Sequence, residues 1–501
     1  MSGKAPSAKL EREAKLQVPA GFRLPELGGD GLTATVQEEQ RLAATYFDTA
    51  ELHVARWGCS LRYREGEGWT VKLLPVEEGD LLVRGEHVFT GPPPPARPPE
   101  DALDLLRAYV RDRPLAPSAR LRTRRRSVDV ADELGRPVAV VTDDEVSVMD
   151  GRRVASRFRE VEVELVPGAP EEAFANILER LREAGAGPVE NISKLRRALG
   201  PRVDAAPEVS VPTVRADATV AEVIRGALAV SVARLFRHDA GVRLGSDPED
   251  VHQARVATRR LRSDLRTFRD AVEPTWSSDL RAELRWLGGE LGAVRDLEVL
   301  RARLRGRVDL LPPVDRRSAE ALVDRLDRTH AETRDRLLAA MREPRYTRVL
   351  DALVTAADAP FVLEEAAAAP ATEALKPALE SPWKHLTASI EAVGADPSDE
   401  SLHAARIRAK RMRYAAEAVA PVFGKRARAF AEAAVAVQDV LGEHQDAVVA
   451  GAWLRETAAS GGDAFVAGEL AAIEAQAAAR ARAGWAPAWK ALSRKRLRFW
   501  A

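Results

Sequence analysis

Residues 251–268 read VHQARVATRRLRSDLRTF, in which basic and apolar residues both recur at steps of three and four. A helix places residues with this spacing on one face. Because the two sets are offset by two residues, about 200° around a helix, the two faces lie nearly back to back. The stretch therefore predicts a helix with one side for a core and the other for an anion. The basic face consists of His252, Arg255, Arg259, Arg262 and Arg266, and the apolar face of Ala254, Ala257, Leu261, Leu265 and Phe268.

The same pattern returns 151 residues later, in residues 403–414, HAARIRAKRMRY. Its basic members are His403, Arg406, Lys410 and Arg413. A second pair of matches follows at almost the same offset, because the Leu-Gly at residues 291–292 precedes Arg-Asp and the Leu-Gly at residues 441–442 precedes Gln-Asp. Two matched pairs at nearly one offset predict an internal duplication.

A solvated helix face is the alternative explanation for a single basic stripe in a chain with 30% charged residues. Solvated faces normally mix signs, because opposite charges at i, i+4 stabilise a helix while like charges cost roughly 0.2–0.5 kcal/mol a pair. Neither stripe contains an acidic residue. We therefore interpret both as surfaces whose repulsion is partly offset by an external anion.

The motifs HQARVATRRLR and HAARIRAKRMRY resemble the two signature helices of the CHAD family, an all-helical domain named for its histidines. The resemblance implies two pseudo-symmetric four-helix halves that line a basic groove for inorganic polyphosphate. It also implies that the nine basic residues of the two stripes bind the polyphosphate.

Two other roles compete with polyphosphate binding as explanations of these helices. A metal at His252 or His403 is disfavoured, because the positions three and four residues on hold arginine, valine or isoleucine, and cationic neighbours repel a metal. Nucleic acid is the main rival partner, since it also presents a string of phosphates. The basic helices carry almost no aromatic residues to stack bases, so we do not expect nucleic acid to be the partner.

Length and composition limit the possible classes of protein. A chain of 501 residues predicts two or three domains, and 76 basic against 76 acidic residues exclude a general attraction to polyanions, so any anion site must be local. A single cysteine, Cys59, excludes an internal disulfide framework. No apolar run approaches the roughly 18 residues needed to span a bilayer, and the start MSGKAPSAKLERE lacks a signal sequence. We expect a soluble, cytoplasmic protein without a membrane partner.

Charged residues keep a period of two in the N-terminal part, where short alternating runs are typical of β-strands. A solvated sheet face is the alternative for any one strand. Carboxylates gathered on the first and last strands instead indicate a divalent cation, because Mg²⁺ and Mn²⁺ prefer hard oxygen ligands. Arginines on other strands suit phosphate oxygens. The same-face sets are Glu11 with Glu13 and Lys15, Arg62 with Arg64, Arg84 with Glu86, and Glu160 with Glu162 and Glu164.

This part of the chain, from about residue 9 to 199, resembles the CYTH family of triphosphate tunnel metalloenzymes. The Glu-x-Glu-x-Lys of residues 11–15 opens the resemblance, and YFDT (46–49), LRYR (61–64), TVK (70–72), EVEVEL (160–165) and SKLRRAL (193–199) follow in family order. The resemblance implies an eight-stranded antiparallel tunnel that acts on triphosphates with Mg²⁺ or Mn²⁺.

The resemblance also implies roles for particular residues. Lys15 would position the attacking water or the terminal phosphoryl group. Arg125 is chosen because the family's Thr-Lys-Arg pattern meets Thr-Arg-Arg at residues 123–125, and Asp143 is chosen although two acidic residues follow it. The implied metal ligands are Glu11, Glu13, Asp143, Glu160 and Glu162. The implied phosphate-binding residues are Arg62, Arg64, Lys72, Arg84, Arg125 and Lys194.

The predicted fold is α+β, an eight-stranded antiparallel β-barrel tunnel joined to an all-α domain of two duplicated four-helix bundles. We place the tunnel in residues 1–200, a linker in 201–213 and the helical domain in 214–501, with halves of about 214–355 and 383–501. The predicted function is metal-dependent hydrolysis of inorganic triphosphate, a phosphoanhydride hydrolase activity, with polyphosphate binding by the helices. A non-catalytic polyphosphate-binding protein targeted to granules and an adenylate cyclase acting on ATP remain the alternatives.

Overall fold

A computed structural model describes residues 7–394, 396–461 and 463–501 of the chain. Residues 1–6, which belong to the predicted tunnel domain and to the start for which we expect no signal sequence, lie outside the described residues. The chain divides into two compact units, Met1–Glu208 and Val209–Ala501. The division falls inside the segment 201–213 that the sequence predicts to be a linker.

The first unit is an antiparallel barrel. Eight strands close in the order β1-β10-β9-β8-β3-β4-β5-β7, and β7 pairs back with β1. The short β2 and β6 pair with β8 and β7 outside this ring. The predicted eight-stranded tunnel is therefore confirmed. The strands are β1 (Ser7–Gln17), β2 (Leu32–Val36), β3 (Gln40–Asp48), β4 (Ser60–Arg64), β5 (Gly68–Lys72), β6 (Val76–Glu78), β7 (Leu81–Phe89), β8 (Ala116–Asp132), β9 (Pro137–Asp150) and β10 (Arg153–Leu165).

The strands of the barrel have two faces. Apolar side chains on the outer face are buried under covering segments, and charged side chains fill much of the lumen. Ala14 and Leu16, which alternate with the charged residues of β1, are fully buried in a core with Ile177 and Leu181 of the covering helix α4. At one end, α5 packs Leu195 against apolar lumen-facing side chains of β8 and β9. The helices of this unit are α1 (His53–Arg56), α2 (Glu100–Asp104), α3 (Arg107–Val110), α4 (Glu171–Glu183) and α5 (Lys194–Leu199).

The second unit is helical throughout its described elements. Consecutive long helices pack on each other in both halves, and across the halves α7 contacts α14, α8 contacts α15 and α9 contacts α16. The two basic motifs lie on α7 and α14, so the predicted duplicated bundle is confirmed. The helices are α6 (Val220–Leu244), α7 (Pro248–Thr267), α8 (Pro274–Val308), α9 (Pro313–Arg342), α10 (Pro344–Asp358), α11 (Glu364–Ala367), α12 (Ala371–Ala374), α13 (Lys376–Glu391), α14 (Asp399–Phe423), α15 (Lys425–Ala459) and α16 (Ala464–Leu492).

The apolar stripes of α7 and α14 lie in the bundle cores. Ala257, Leu261 and Leu265 on α7 are buried, as are Ala409 and Met412 on α14. The basic stripes on the opposite faces stay partly exposed. Among the described residues, no helix combines the length and the apolar character needed to cross a bilayer.

Candidate functional site

The lumen of the barrel encloses a cavity of about 470 Å³ with a charged lining. Strand alternation turns every second side chain inward, and the register sets Lys15 opposite Glu162 and Glu11 opposite Arg84. Ten residues from the predicted site line this cavity. They are Glu11, Glu13, Lys15, Arg62, Arg64, Lys72, Arg84, Arg125, Glu162 and Lys194.

The carboxylates of β1 are held by cations from β5 and β7. Arg84 donates from Nε to Glu11 Oε2 at 2.9 Å and from Nη2 to Glu13 Oε1 at 2.7 Å. Lys72 Nζ lies 2.6 Å from Glu11 Oε1 and 2.9 Å from Glu86 Oε2. Burial alone would raise the pKa of Glu11, but Lys72 and Arg84 outweigh it and lower that pKa. Glu11 is therefore anionic at neutral pH, as a cation ligand must be.

A second network joins β9, β10 and α5. Lys194 Nζ lies 2.9 Å from Asp144, 2.7 Å from Glu160 and 2.8 Å from Glu162. Arg125 donates two hydrogen bonds to Asp144, at 2.9 and 2.6 Å. Burial opposes the charge of Lys194, yet the three carboxylates raise its pKa well above the usual value. The ammonium of Lys194 thus stays charged at neutral pH.

Lys15 bridges the two networks. Its Nζ is 2.9 Å from Glu13 Oε2 and also donates to Glu162. Burial lowers the pKa of Lys15, but Glu13 and Glu162 exceed that effect and raise it. The buried ammonium therefore stays charged between carboxylates of the first and last strands.

Arg62 and Arg64 lie in a looser part of the lining. Both contact the partly exposed Glu67, at 3.4 and 2.5 Å. Burial and the neighbouring Arg62 lower the pKa of Arg64. Two adjacent guanidiniums that share one exposed carboxylate leave positive charge available for an incoming anion.

The carboxylates of the lumen have the oxygen atoms that a divalent cation binds, but in this structure they are not arranged around a cation site. Within residues 7–394, 396–461 and 463–501, no three acidic, histidine or cysteine side chains converge as a metal site requires. The Lys194 ammonium lies among Asp144, Glu160 and Glu162 instead. Because an ammonium and a hard cation favour the same anionic oxygens, displacement of Lys194 would leave ligands of the kind that Mg²⁺ and Mn²⁺ prefer.

The prediction that Asp143 faces the lumen is wrong by one residue. Asp143 receives two hydrogen bonds from Arg159, at 2.8 and 2.7 Å, on the other side of the sheet. Asp144 lies opposite both Arg125 and Glu160 in the ladder, so it shares their inward face. A one-residue shift in a strand moves a side chain to the other face, which is why the local sequence left this choice open.

Other charged lumen residues escaped the sequence prediction. Glu86 contacts Lys72 and Arg62, and its alternation with Arg84 was the available signal. Arg197 on α5 lies 3.2 Å from Glu160. Glu160 itself is fully buried behind Lys194, one layer away from the cavity lining.

In the helical domain, basic residues of α7 and α14 meet where the two helices contact. Arg255, Arg259, Arg406 and Lys410 are close enough to perturb one another. Burial and the charges of these arginines lower the pKa of Lys410 to about 7. A lysine that titrates near neutral pH indicates a strongly positive local field.

The remaining predicted residues lie around this cluster. Arg413 lies over the Tyr414 ring, whose centroid is 5.1 Å away, and contacts Glu417 at 3.4 Å. Burial and Arg295 lower the pKa of His252, so it is largely neutral. His403 Nδ1 lies 2.7 Å from Gln445 Oε1.

Arg262 and Arg266 belong to a different group from the other basic residues of α7. Their electrostatic neighbours are Arg281 and Arg285 on α8, and Arg266 also faces Arg408 on α14. The basic stripe of α7, one continuous surface in the sequence, is thus divided between two clusters. The way in which α7 crosses α8 and α14 decides which basic residues of α7 belong to each cluster.

Comparisons with known proteins bear on the whole chain. A family model described as the CYTH domain matches residues 9–198, and one described as the CHAD domain matches residues 226–455. Uncharacterized proteins from two strains of Mycobacterium tuberculosis, CDC 1551 and H37Rv, are each 33% identical over 515 residues, covering 95% of this chain and 95% of theirs.

Solved structures match each half separately. The CHAD domain from the plant Ricinus communis is 30% identical, covers 56% of this chain and 95% of that chain, and has a TM-score of 0.46. A Hippeastrum protein described as a putative adenylyl cyclase with a dominant triphosphatase activity is 15% identical, covers 38% of this chain and 98% of that chain, and has a TM-score of 0.25.

A closed antiparallel tunnel with a charged lumen, followed by a duplicated helical domain, defines a tunnel protein of the triphosphate type with an appended basic bundle. The chain belongs to the CYTH family and carries a CHAD domain after its CYTH domain. Membership implies a phosphoryl or triphosphate activity in the tunnel, and CYTH enzymes generally use divalent metals.

Proposed function

We propose that the tunnel hydrolyses inorganic triphosphate, or a related triphosphate, with Mg²⁺ or Mn²⁺, and that the helical domain binds inorganic polyphosphate. The observation that carries the tunnel proposal is a cationic wall and a layer of buried carboxylates around one cavity of about 470 Å³. Phosphoryl transfer depends on positioning and charge neutralisation more than on a protein nucleophile. Such a lumen supplies both.

Different basic residues of the lumen bind different parts of the substrate. Arg62 and Arg64 bind phosphate oxygens after Glu67 yields to the more highly charged substrate. Arg84, Arg125 and Lys72 fix the rest of the triphosphate and stabilise the charge that develops on the leaving pyrophosphate. Lys15, held between Glu13 and Glu162, positions the terminal phosphoryl group or the attacking water.

Glu11, Glu13, Glu160 and Glu162 would hold the cation, with Asp144 in the place that the sequence assigned to Asp143. A bound Mg²⁺ or Mn²⁺ neutralises phosphate oxygens and lowers the pKa of a coordinated water. Lys194 would leave the carboxylates as the cation arrives and would turn its ammonium towards the phosphates.

The test is a substrate profile of the full chain with Mg²⁺ and with Mn²⁺. We expect phosphate release from inorganic triphosphate, less from ATP, and loss of activity by a factor of about 10³ or more in Glu11→Gln plus Glu13→Gln. Cyclic AMP formed from ATP would establish the cyclase alternative. The absence of any product, with polyphosphate still bound, would leave the non-catalytic binding protein as the function.

Polyphosphate is the partner that the two basic clusters favour. Their arginines lie on one domain of a chain with no net charge, so the attraction is local to these surfaces. The aromatic ring at the crossing, Tyr414, is buried beneath arginines rather than offered to a base. We place the protein in the cytoplasm. Recruitment to polyphosphate granules and delivery of chain ends to the tunnel are two hypotheses for how the domains cooperate.

A further inference from the structure

Six arginines, four from the first repeat and two from α14 of the second, form a cluster that has no ion-pairing carboxylate. None of the six makes an ion pair with a carboxylate anywhere in the described part of the chain. Burial and the other arginines lower the pKa of Arg411 to about 10, and the pKa of Arg266 is lowered by the same two causes. The cluster consists of Arg262, Arg266, Arg281, Arg285, Arg408 and Arg411.

The cluster borders a pocket and not an open face. A cavity of about 380 Å³ lies against Arg266, Arg281, Arg408 and Arg411. The rest of its lining comes from α13, including His385, and from the end of α7 and the turn after it, including Arg269 and Asp270. Asp270 pairs with Arg269 at 3.3 Å and not with the six arginines of the cluster. The row of arginines therefore ends against a helix instead of continuing along the groove.

The duplication does not repeat this pocket. At the offset of 151 residues, Arg266 corresponds to Glu417, and at the offset of 150 found for the Leu-Gly motifs, Arg281 and Arg285 correspond to Ala431 and Val435. Glu417 contacts both Arg260 and Arg413, the two arginines that remain at the related place. The place around Arg266 thus has uncompensated positive charge, whereas the related place around Glu417 is neutralised.

Because these two related places differ in charge, the two ends of a polyphosphate chain bound along the groove would meet different surroundings. Internal phosphates of a linear chain each carry one negative charge, whereas a terminal phosphate gains a second near pH 6. The highest density of unpaired cations therefore suits a terminal phosphate, and a walled pocket suits the end of a chain better than its middle. We propose that this arginine pocket binds the terminal phosphate of a linear polyphosphate, so that one chain end is fixed where α7 and α8 of the first repeat face α13 and α14 of the second. This inference rests on the proposed polyphosphate binding by the helical domain.

The experiment compares linear polyphosphate of one uniform length with the same chains blocked at both ends as phosphoramidates. Binding to the full-length protein is measured by calorimetry without divalent cation, so that the tunnel does not turn over. We expect free-ended chains to bind on the order of tenfold more tightly. In Arg281→Gln plus Arg411→Gln, free-ended chains should fall to the affinity of blocked chains, which should change little.

Two further measurements separate this inference from a loss of charge or fold. Arg255→Gln plus Lys410→Gln, at the other cluster, should weaken free-ended and blocked chains by the same factor. Arg408→Gln alone should reduce the end preference, and its thermal unfolding should show an intact fold. Equal affinity of the wild type for both kinds of chain, or an equal loss of both in Arg281→Gln plus Arg411→Gln, would overturn the end pocket. Failure of the wild type to bind either kind would instead overturn the proposed function.

Discussion

Lys194 neutralises three buried carboxylates. Its removal should therefore lower the stability of the fold and increase the stabilisation that a bound cation provides. We predict that Lys194→Gln lowers the metal-free free energy of unfolding by about 3–5 kcal/mol, because Asp144, Glu160 and Glu162 then lose a buried partner. Mg²⁺ or Mn²⁺ should stabilise this variant more than the wild type. Thermal unfolding with and without each cation measures both effects.

Lys9→Gln is the matched control. Lys9 is exposed and pairs with Glu164 at the edge of the same lumen, so its loss should cost less than about 1 kcal/mol. Its response to cations should equal that of the wild type. If cations stabilise Lys194→Gln no more than the wild type, these carboxylates are not the cation ligands.

Lys410 is the residue through which pH should act on polyphosphate binding. Burial and Arg259, Arg406 and Arg255 lower its pKa to about 7, while Asp446 opposes the shift. A bound polyanion favours the ammonium, so binding should take up a proton and tighten as the pH falls through about 7. Without ligand the folded pKa lies below the unfolded one, near 10.5, so the unfolded state holds more protons between these values and stability rises with pH there.

Lys410→Arg keeps the charge and removes the titration. Calorimetry in buffers of different ionisation heat should show a smaller proton uptake at pH 7 for this variant than for the wild type. The two proteins differ only at this side chain, so the difference in proton uptake belongs to Lys410. Identical proton uptake would mean that Lys410 is already charged in the free protein.

At the scale of one element, α7 packs against the core with one face and presents basic residues for binding on the other. Leu261 is fully buried, and Leu261→Ala should lower the free energy of unfolding by about 2–5 kcal/mol through the cavity it leaves. Arg262→Ala, one residue on, should cost nothing or stabilise the fold, because it relieves repulsion from Arg281 and Arg285. Denaturant unfolding of the two variants measures this contrast, and similar losses in both would refute the two-faced helix.

The strands and helices could be predicted from residue spacing, because the spacing of apolar and charged residues shows which face of an element is buried. The alternation around Glu11 and Glu13 and the stripes of α7 and α14 were therefore readable in one sequence. The choice between Asp143 and Asp144 was not, because it depends on pairing with β8 and β10.

The partition of the α7 stripe was equally hidden from the sequence. Arg259 and Arg262 belong to one stripe, but the crossing with α14 sends them to different neighbours. Arg408 and Arg411 lie off the predicted stripe of α14 and were missed for that reason. Local spacing predicts a face, whereas the contacts of that face are set by residues far away in the chain.

At the scale of the whole molecule, the two units have opposite electrostatic designs. The lumen pairs most of its cations with carboxylates, so apart from the charge of Arg62 and Arg64 its positive charge would become available only when a metal occupied those carboxylates. The basic clusters of the helical domain include arginines without acidic partners and need no metal to attract an anion. Triphosphate turnover should therefore depend on divalent cations, while polyphosphate binding should persist in a chelator and weaken with salt.

This difference predicts that each activity can be removed alone. Glu11→Gln plus Glu13→Gln should abolish turnover and leave the polyphosphate affinity within about twofold, because these substitutions lie in the first unit and the basic clusters in the second. Arg259→Ala plus Lys410→Ala should weaken polyphosphate binding at least about tenfold, since each repeat loses one cation, and should leave triphosphate turnover unchanged. Turnover and affinity are measured on the same full-length proteins. If either pair of substitutions weakened both activities equally, the lumen and the helices would form one functional unit, and chain binding would be a step of the tunnel reaction.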